Sequence, residues 1–163
     1  MKNFLQLLFL SFLVLSSSII SQTIKTPEEF LGYKVGADYK IADYETITEY
    51  FKHLSENSGK IKFEIIGKTS LGKDMFMAIL SSEQNIIDLE KYRSIIKQLS
   101  DPRKLTDEKA KVLAKDGKVV VLVTCNIHST EIASAQMSME FAYNLVSGNA
   151  SAKSLNALND VIF

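Results

Sequence analysis

The chain has 163 residues, 46% apolar and 23% charged, with 19 basic residues balanced by 19 acidic ones. That is enough for one domain with its own core, and a formal charge of zero excludes recruitment of nucleic acid or an anionic membrane through global charge, leaving only a local patch. A single cysteine, Cys125, excludes an internal disulfide framework.

Taken in chain order, the first residues differ in kind from the rest. Met1 and Lys2 give a positive start, residues 4–15 are nearly all Leu, Phe and Val, and Ser16, Ser17, Ser18 and Ser21 follow around two isoleucines. This is the pattern of a secretory signal peptide over 1–21. Cleavage is expected after Ser21, with Ser18 as the alternative site and an uncleaved anchor as the competing reading. The apolar run is too short to span a bilayer comfortably as a permanent helix. Export follows, to a secreted or periplasmic location, with no permanent membrane span after signal removal.

Residues 24–40, with Pro27, Gly32 and Gly36, read as an irregular lead-in. Residues 41–60 place Ile41, Tyr44, Ile47, Phe51 and Leu54 near helical spacing, with Ser58-Gly59 as the stop. His53 lies off that stripe and reads as a half-exposed helical histidine. Two strands, 61–66 and 75–80, flank a Gly-containing loop. The segment GKTSLGKD, 67–74, is one residue from the phosphate-loop pattern. Asp74 stands where a magnesium-holding hydroxyl is needed, and a strand follows instead of a helix, so a hairpin loop is expected.

Helices are expected over 86–99 and 106–114, broken at Asp101-Pro102, with Arg93 and Arg103 on the solvated surface. Asp116-Gly117 turns the chain into KVVVLVTCN, whose unbroken apolar run suits a strand buried on both faces. Cys125, at its end, reads as a small hydrophobe and not a nucleophile. Residues 132–146 carry a helical stripe of Ile132, Ala135, Met139, Ala142 and Val146, with the methionines as core filler. Asn149-Ala150-Ser151 matches a glycosylation sequon, a short helix is expected over 152–158, and the final NDVIF reads as the opening of another buried strand. The 22–163 portion is therefore expected to be the N-terminal part of a larger domain.

His128 and Glu131 are the chemically suggestive pair. At i and i+3 on a helical turn both side chains face one side, imidazole nitrogen and carboxylate oxygen are both good zinc donors, and the end of a central strand is where open α/β sheets place ligands. Glu131 in a helix's first turn would be favoured as the anion. Against this, the spacing recurs by chance, Ser129 and Thr130 suit helix capping, and two ligands fall short of the three a catalytic zinc takes.

The combined pattern resembles the carboxypeptidase A-like zinc peptidase family. NIHSTEIASAQ after an apolar strand is similar to that family's HxxE metal motif, YETITEYFKHLSENSGKI to its first helix, and IIGKTSLGKDMFMAIL to its hairpin. TPEEFLGYKVGADYKIADY and the SDPRKLTDEKAKVLAKDGK insertion look like a secreted bacterial branch, and the resemblance runs from about Thr26 to the end. It implies an α/β fold, here the N-terminal part of a mixed, mostly buried sheet flanked by helices on both faces. It also implies a zinc-dependent metallocarboxypeptidase acting on peptide or protein substrates. His128 and Glu131 would be zinc ligands. A third ligand, a His, and a catalytic Glu are implied further along, as are arginines for the oxyanion and the substrate carboxylate, and none of these matches a residue here. The 163 residues alone are therefore expected to be inactive. The rival readings are a binding module that keeps the peptidase fold without its chemistry, and a phosphate-binding protein using the Gly67 loop.

Overall fold

The computed structural model describes residues 23–163; the signal peptide expected over 1–21 lies outside them. The lead-in is not wholly irregular, because it holds helix α1, Pro27–Leu31. Thr26 and Glu29 form a reciprocal capping box: the Thr26 N–H donates to Glu29 Oε2 at 2.8 Å and the Glu29 N–H to Thr26 Oγ1 at 3.1 Å. Pro27 begins the helix where a missing N–H costs nothing, and Gly32 ends it at φ 74°.

Helix α2, Tyr44–Asn57, starts three residues later than its apolar pattern suggests, because Asp43 caps it by accepting the Thr46 N–H at 2.7 Å. Ile47, Phe51 and Leu54 are buried as the stripe requires, while Ile41, ahead of the cap, is exposed. Tyr50 is fully buried as well; its hydroxyl donates to Lys25 O at 3.0 Å and its ring meets Phe30 edge-on at 5.0 Å. These contacts dock α1 on α2.

Strands β1, Ile61–Lys68, and β2, Asp74–Leu80, pair antiparallel from Ile61↔Leu80 to Lys68↔Asp74, with an irregularity between Ile65 and Gly67. The turn between them is closed by Thr69 N–H to Lys73 O at 2.8 Å and Gly72 N–H to Thr69 O at 2.9 Å, with Gly72 at φ 77°. No helix follows Lys73, so the near-match to a phosphate loop is a hairpin, as its missing hydroxyl foretold. The helix expected over 86–99 is two: α3, Glu83–Ile87, opened by a Ser82 cap, and α4, Leu89–Leu99, with the chain leaving helical geometry at Asp88. Helix α5, Asp107–Asp116, is capped by Thr106. Arg93 and Arg103 are on the surface, paired with Glu90 and Asp101.

Strand β3, Val119–Val120, runs parallel to β4, Val161–Ile162. The hairpin β1-β2 and the ladder β3-β4 are separate two-stranded sheets, linked by a reciprocal pair of hydrogen bonds between Leu80 and Phe163, 2.8 and 2.9 Å. Helices α6, Ala133–Ser147, and α7, Ala152–Ala157, complete the described residues. One ladder is antiparallel and the other parallel, and helices pack on both faces of β2, as strand alternation allows. Leu80 packs with Tyr50, Phe51 and Leu54 of α2 and Met139, Ala142 and Val146 of α6. Its neighbour Ile79 turns the other way, onto Leu89, Tyr92 and Ile95 of α4 and Ile162 of β4.

The long buried strand expected over 118–126 does not form. Only Val119 and Val120 are strand, and the Val121 N–H to Ile162 O bond at 2.9 Å is the last ladder contact. Beyond it the run pairs with no strand among the described residues, and Leu122 is 79% exposed. Among the described residues no helix is long and apolar enough to cross a membrane.

Candidate metal centre

His128 and Glu131 lie on the loop between β3 and α6, and the structure brings their side chains together. His128 Nδ1 stands 2.9 Å from Glu131 Oε1, and the His128 N–H donates to Glu131 Oε2 at 3.2 Å. The spacing works through a turn, closed by the Glu131 N–H to His128 O at 3.1 Å, and not through a helix as expected. Helix α6 begins only at Ala133, with Ile132 at its cap and no capping side chain, so Ser129 and Thr130 do not cap it and Glu131 precedes its first turn. The pair also sits several residues past the end of β3, not at a strand terminus.

Hydrogen bonds from the His128 ring and its backbone N–H hold the Glu131 carboxyl below the usual carboxylate range. Glu131 is therefore an anion at neutral pH, the state a metal ligand needs. A metal taken at His128 Nδ1 requires that nitrogen to be free of a proton, with any ring proton on Nε2.

The two donors fit zinc in kind and nearly in distance. Two ligands of a tetrahedral zinc, each about 2.1 Å from the ion, stand about 3.4 Å apart. The pair at 2.9 Å must therefore open slightly, and side chains 71% and 54% exposed have room to do so. Among the described residues no cluster of three or more His, Cys, Asp or Glu side chains can hold a metal. His53 is not at the centre: its Nε2 meets the Lys25 N–H at 3.1 Å and its ring packs by Phe30 and Tyr50. It is half-buried in α2, as its place off the stripe suggested. Cys125 is also half-buried, and that burial pushes its thiol up, away from a reactive thiolate.

Two residues that motif reading passed over bracket the pair. Asn126 adopts φ 81°, a left-handed conformation that few residues other than glycine accept. Its side-chain carbonyl lies beside the Ser134 hydroxyl, in the first turn of α6. An Asn just ahead of an apparent metal motif is the only signal the sequence offers for this.

Compared with family models, residues 47–163, well over half of the chain, match the model described as zinc carboxypeptidase. Neither curated proteins nor solved structures supply a match.

Proposed function

The chain belongs to the zinc carboxypeptidase family, and on that premise we propose that it is the N-terminal part of an exported metallocarboxypeptidase of a secreted bacterial type. His128 and Glu131 supply two of its zinc ligands. The observation that carries this is the convergence of His128 Nδ1 and Glu131 Oε1, 2.9 Å apart, inside the segment the family model covers. Zinc held there would supply an activated water and polarisation of the scissile carbonyl. The chain's own part is to present an anionic carboxylate and an imidazole nitrogen on a solvent-open loop, where an extended peptide end has access. The third ligand, the general-base Glu and the substrate-binding arginines lie beyond Phe163 in this reading, so residues 22–163 alone hydrolyse no peptide. The apolar leader over 1–21 directs export and is removed.

The rival reading is a peptide-binding module that keeps the fold without catalysis. Metal content and hydrolysis of a C-terminally blocked and an unblocked peptide by the full-length gene product decide between them. We expect about one zinc per chain and hydrolysis of the unblocked peptide only. His128→Ala and Glu131→Gln each lose the metal and lower kcat/KM by at least about 100-fold, since one of only three protein ligands is removed. Full metal content and full activity in both variants reject the assignment, and zinc-free wild type without hydrolysis favours the module.

A further inference from the structure

The lead-in is tied to α2 through the backbone of one residue. The Lys25 N–H donates to His53 Nε2 at 3.1 Å, and Lys25 O accepts from the Tyr50 hydroxyl at 3.0 Å. Both partners stand on α2, and Lys25 directly precedes the Thr26 cap of α1. Helix α1 has only 5 residues, too few to persist without tertiary contacts. Its docking therefore depends on these two bonds and on the Phe30 ring, 5.0 Å from Tyr50 and 5.8 Å from His53.

The surroundings of His53 suit only a neutral ring. To take the Lys25 N–H, Nε2 must carry a lone pair. The other nitrogen, Nδ1, stands 3.2 Å from Asn57 Nδ2, and a 2.7 Å bond from that same amide nitrogen to His53 O keeps it turned this way. Each ring nitrogen thus faces an N–H donor, and among the described residues no carboxylate pairs with either. A neutral imidazole keeps one lone pair for these donors. An imidazolium keeps none and sets N–H against N–H at both nitrogens.

We propose that His53 is a pH-sensitive latch for the lead-in: the neutral ring holds residues 25–31 on α2, and its protonation releases them. The proposal does not depend on the zinc site. The charged and titratable groups around the ring are Lys25 in the lead-in, Glu29 on α1, Tyr50 on α2 and, across Tyr50, Tyr143 of α6. Ammonium and phenol groups keep their states between about pH 7.5 and pH 5.5. Hydrogen bonds from Thr26 hold the Glu29 carboxyl below its ordinary value, so it stays an anion over that range and the capping box is unaffected. Of these groups and the imidazole, only the imidazole changes state there. Once released, the ring is a solvated imidazole, half protonated at about pH 6.5. Docking requires the neutral form, so the docking equilibrium falls by about 10-fold for each pH unit below that value.

The test is amide hydrogen exchange of the full-length protein at about pH 7.5 and pH 5.5, with rates converted to protection factors to remove the intrinsic pH dependence of exchange. Protection over residues 25–31 should fall by about 10-fold between the two, while residues 139–146 of α6 stay unchanged. His53→Gln offers a side-chain oxygen near the place of Nε2 and does not titrate, so it should hold the segment equally at both pH values. His53→Ala should show low protection at both. Constant protection of residues 25–31 in the wild type overturns the latch. A fall that persists in both variants overturns it as well, since another group then carries the change. A parallel fall over residues 139–146 does the same, because the loosening is then general and not a release of the lead-in.

Discussion

Asn85 shows how much one buried amide settles in this fold. It is 3% exposed, and its side-chain N–H groups are shared among Ser81 Oγ at 3.0 Å, Leu158 O at 3.0 Å and Asn159 O at 3.1 Å. Ser81, fully buried, donates in turn to Leu158 O at 2.9 Å. The network fixes the end of β2 against the turn that leads into β4. Asn85→Ala removes the donors and leaves buried oxygens unpaired, so a loss of about 2–3 kcal/mol is expected in urea denaturation. Asn85→Asp should be no better, since an anion there faces carbonyl oxygens. A loss below about 0.5 kcal/mol for the alanine variant contradicts the network. Nothing in the local sequence marks Asn85, because the two carbonyls it holds, on Leu158 and Asn159, are more than 70 residues away.

At the scale of the element, the helices follow local rules wherever a cap is present. Thr26, Asp43, Ser82, Thr106 and Ser151 each accept a backbone N–H at a helix start. Two of these starts use carboxylates. Hydrogen bonds from Thr46 hold Asp43 below its ordinary value, and those from Thr26 do the same to Glu29. Their contribution is fully present above the unfolded carboxylate range, about 4. It fades as pH falls through the lower folded values, so the stability is lost on the acid side. Asp43→Asn keeps a good cap that no longer titrates. The variant should match the wild type near pH 7 and show a shallower fall of the urea midpoint between about pH 5 and pH 2. An unchanged acid limb counts against the cap's role. The caps of α1 were legible as T-P-E-E, a signature that the nearby glycines obscured, whereas α6, which has no capping side chain, was legible from its apolar stripe and starts one residue after the expected Ile132.

At the scale of the whole molecule, apolar runs with similar sequences meet different fates. Leu54 and Met139 are fully buried between α2, the sheet and α6, while Leu122, in the most hydrophobic run of the described residues, faces solvent. Leu54→Ala should cost about 2–5 kcal/mol by cavity formation, and Leu122→Ala in the 163-residue chain less than about 0.5 kcal/mol. Urea denaturation of both variants measures the contrast, and comparable losses mean that the run is covered. The stripes of α2 and α6 were legible because a helix turns every fourth residue to one side whatever surrounds it. The burial of the valine run was not, because a strand's faces are covered only by what packs on them.

The sequence by itself determined the alternation of helices and strands, the hairpin in place of a phosphate loop, the core faces of α2 and α6, and membership in a zinc carboxypeptidase family. Those depend on periodicity, turn chemistry and short motifs, all local along the chain. Only the tertiary structure decided that Leu80 and Phe163 link the two ladders, that 122–124 are exposed, and that His128 meets Glu131 through a turn. Each of these depends on which distant backbone or side chain offers a partner for a hydrogen bond or a face, and spacing along the chain does not encode that.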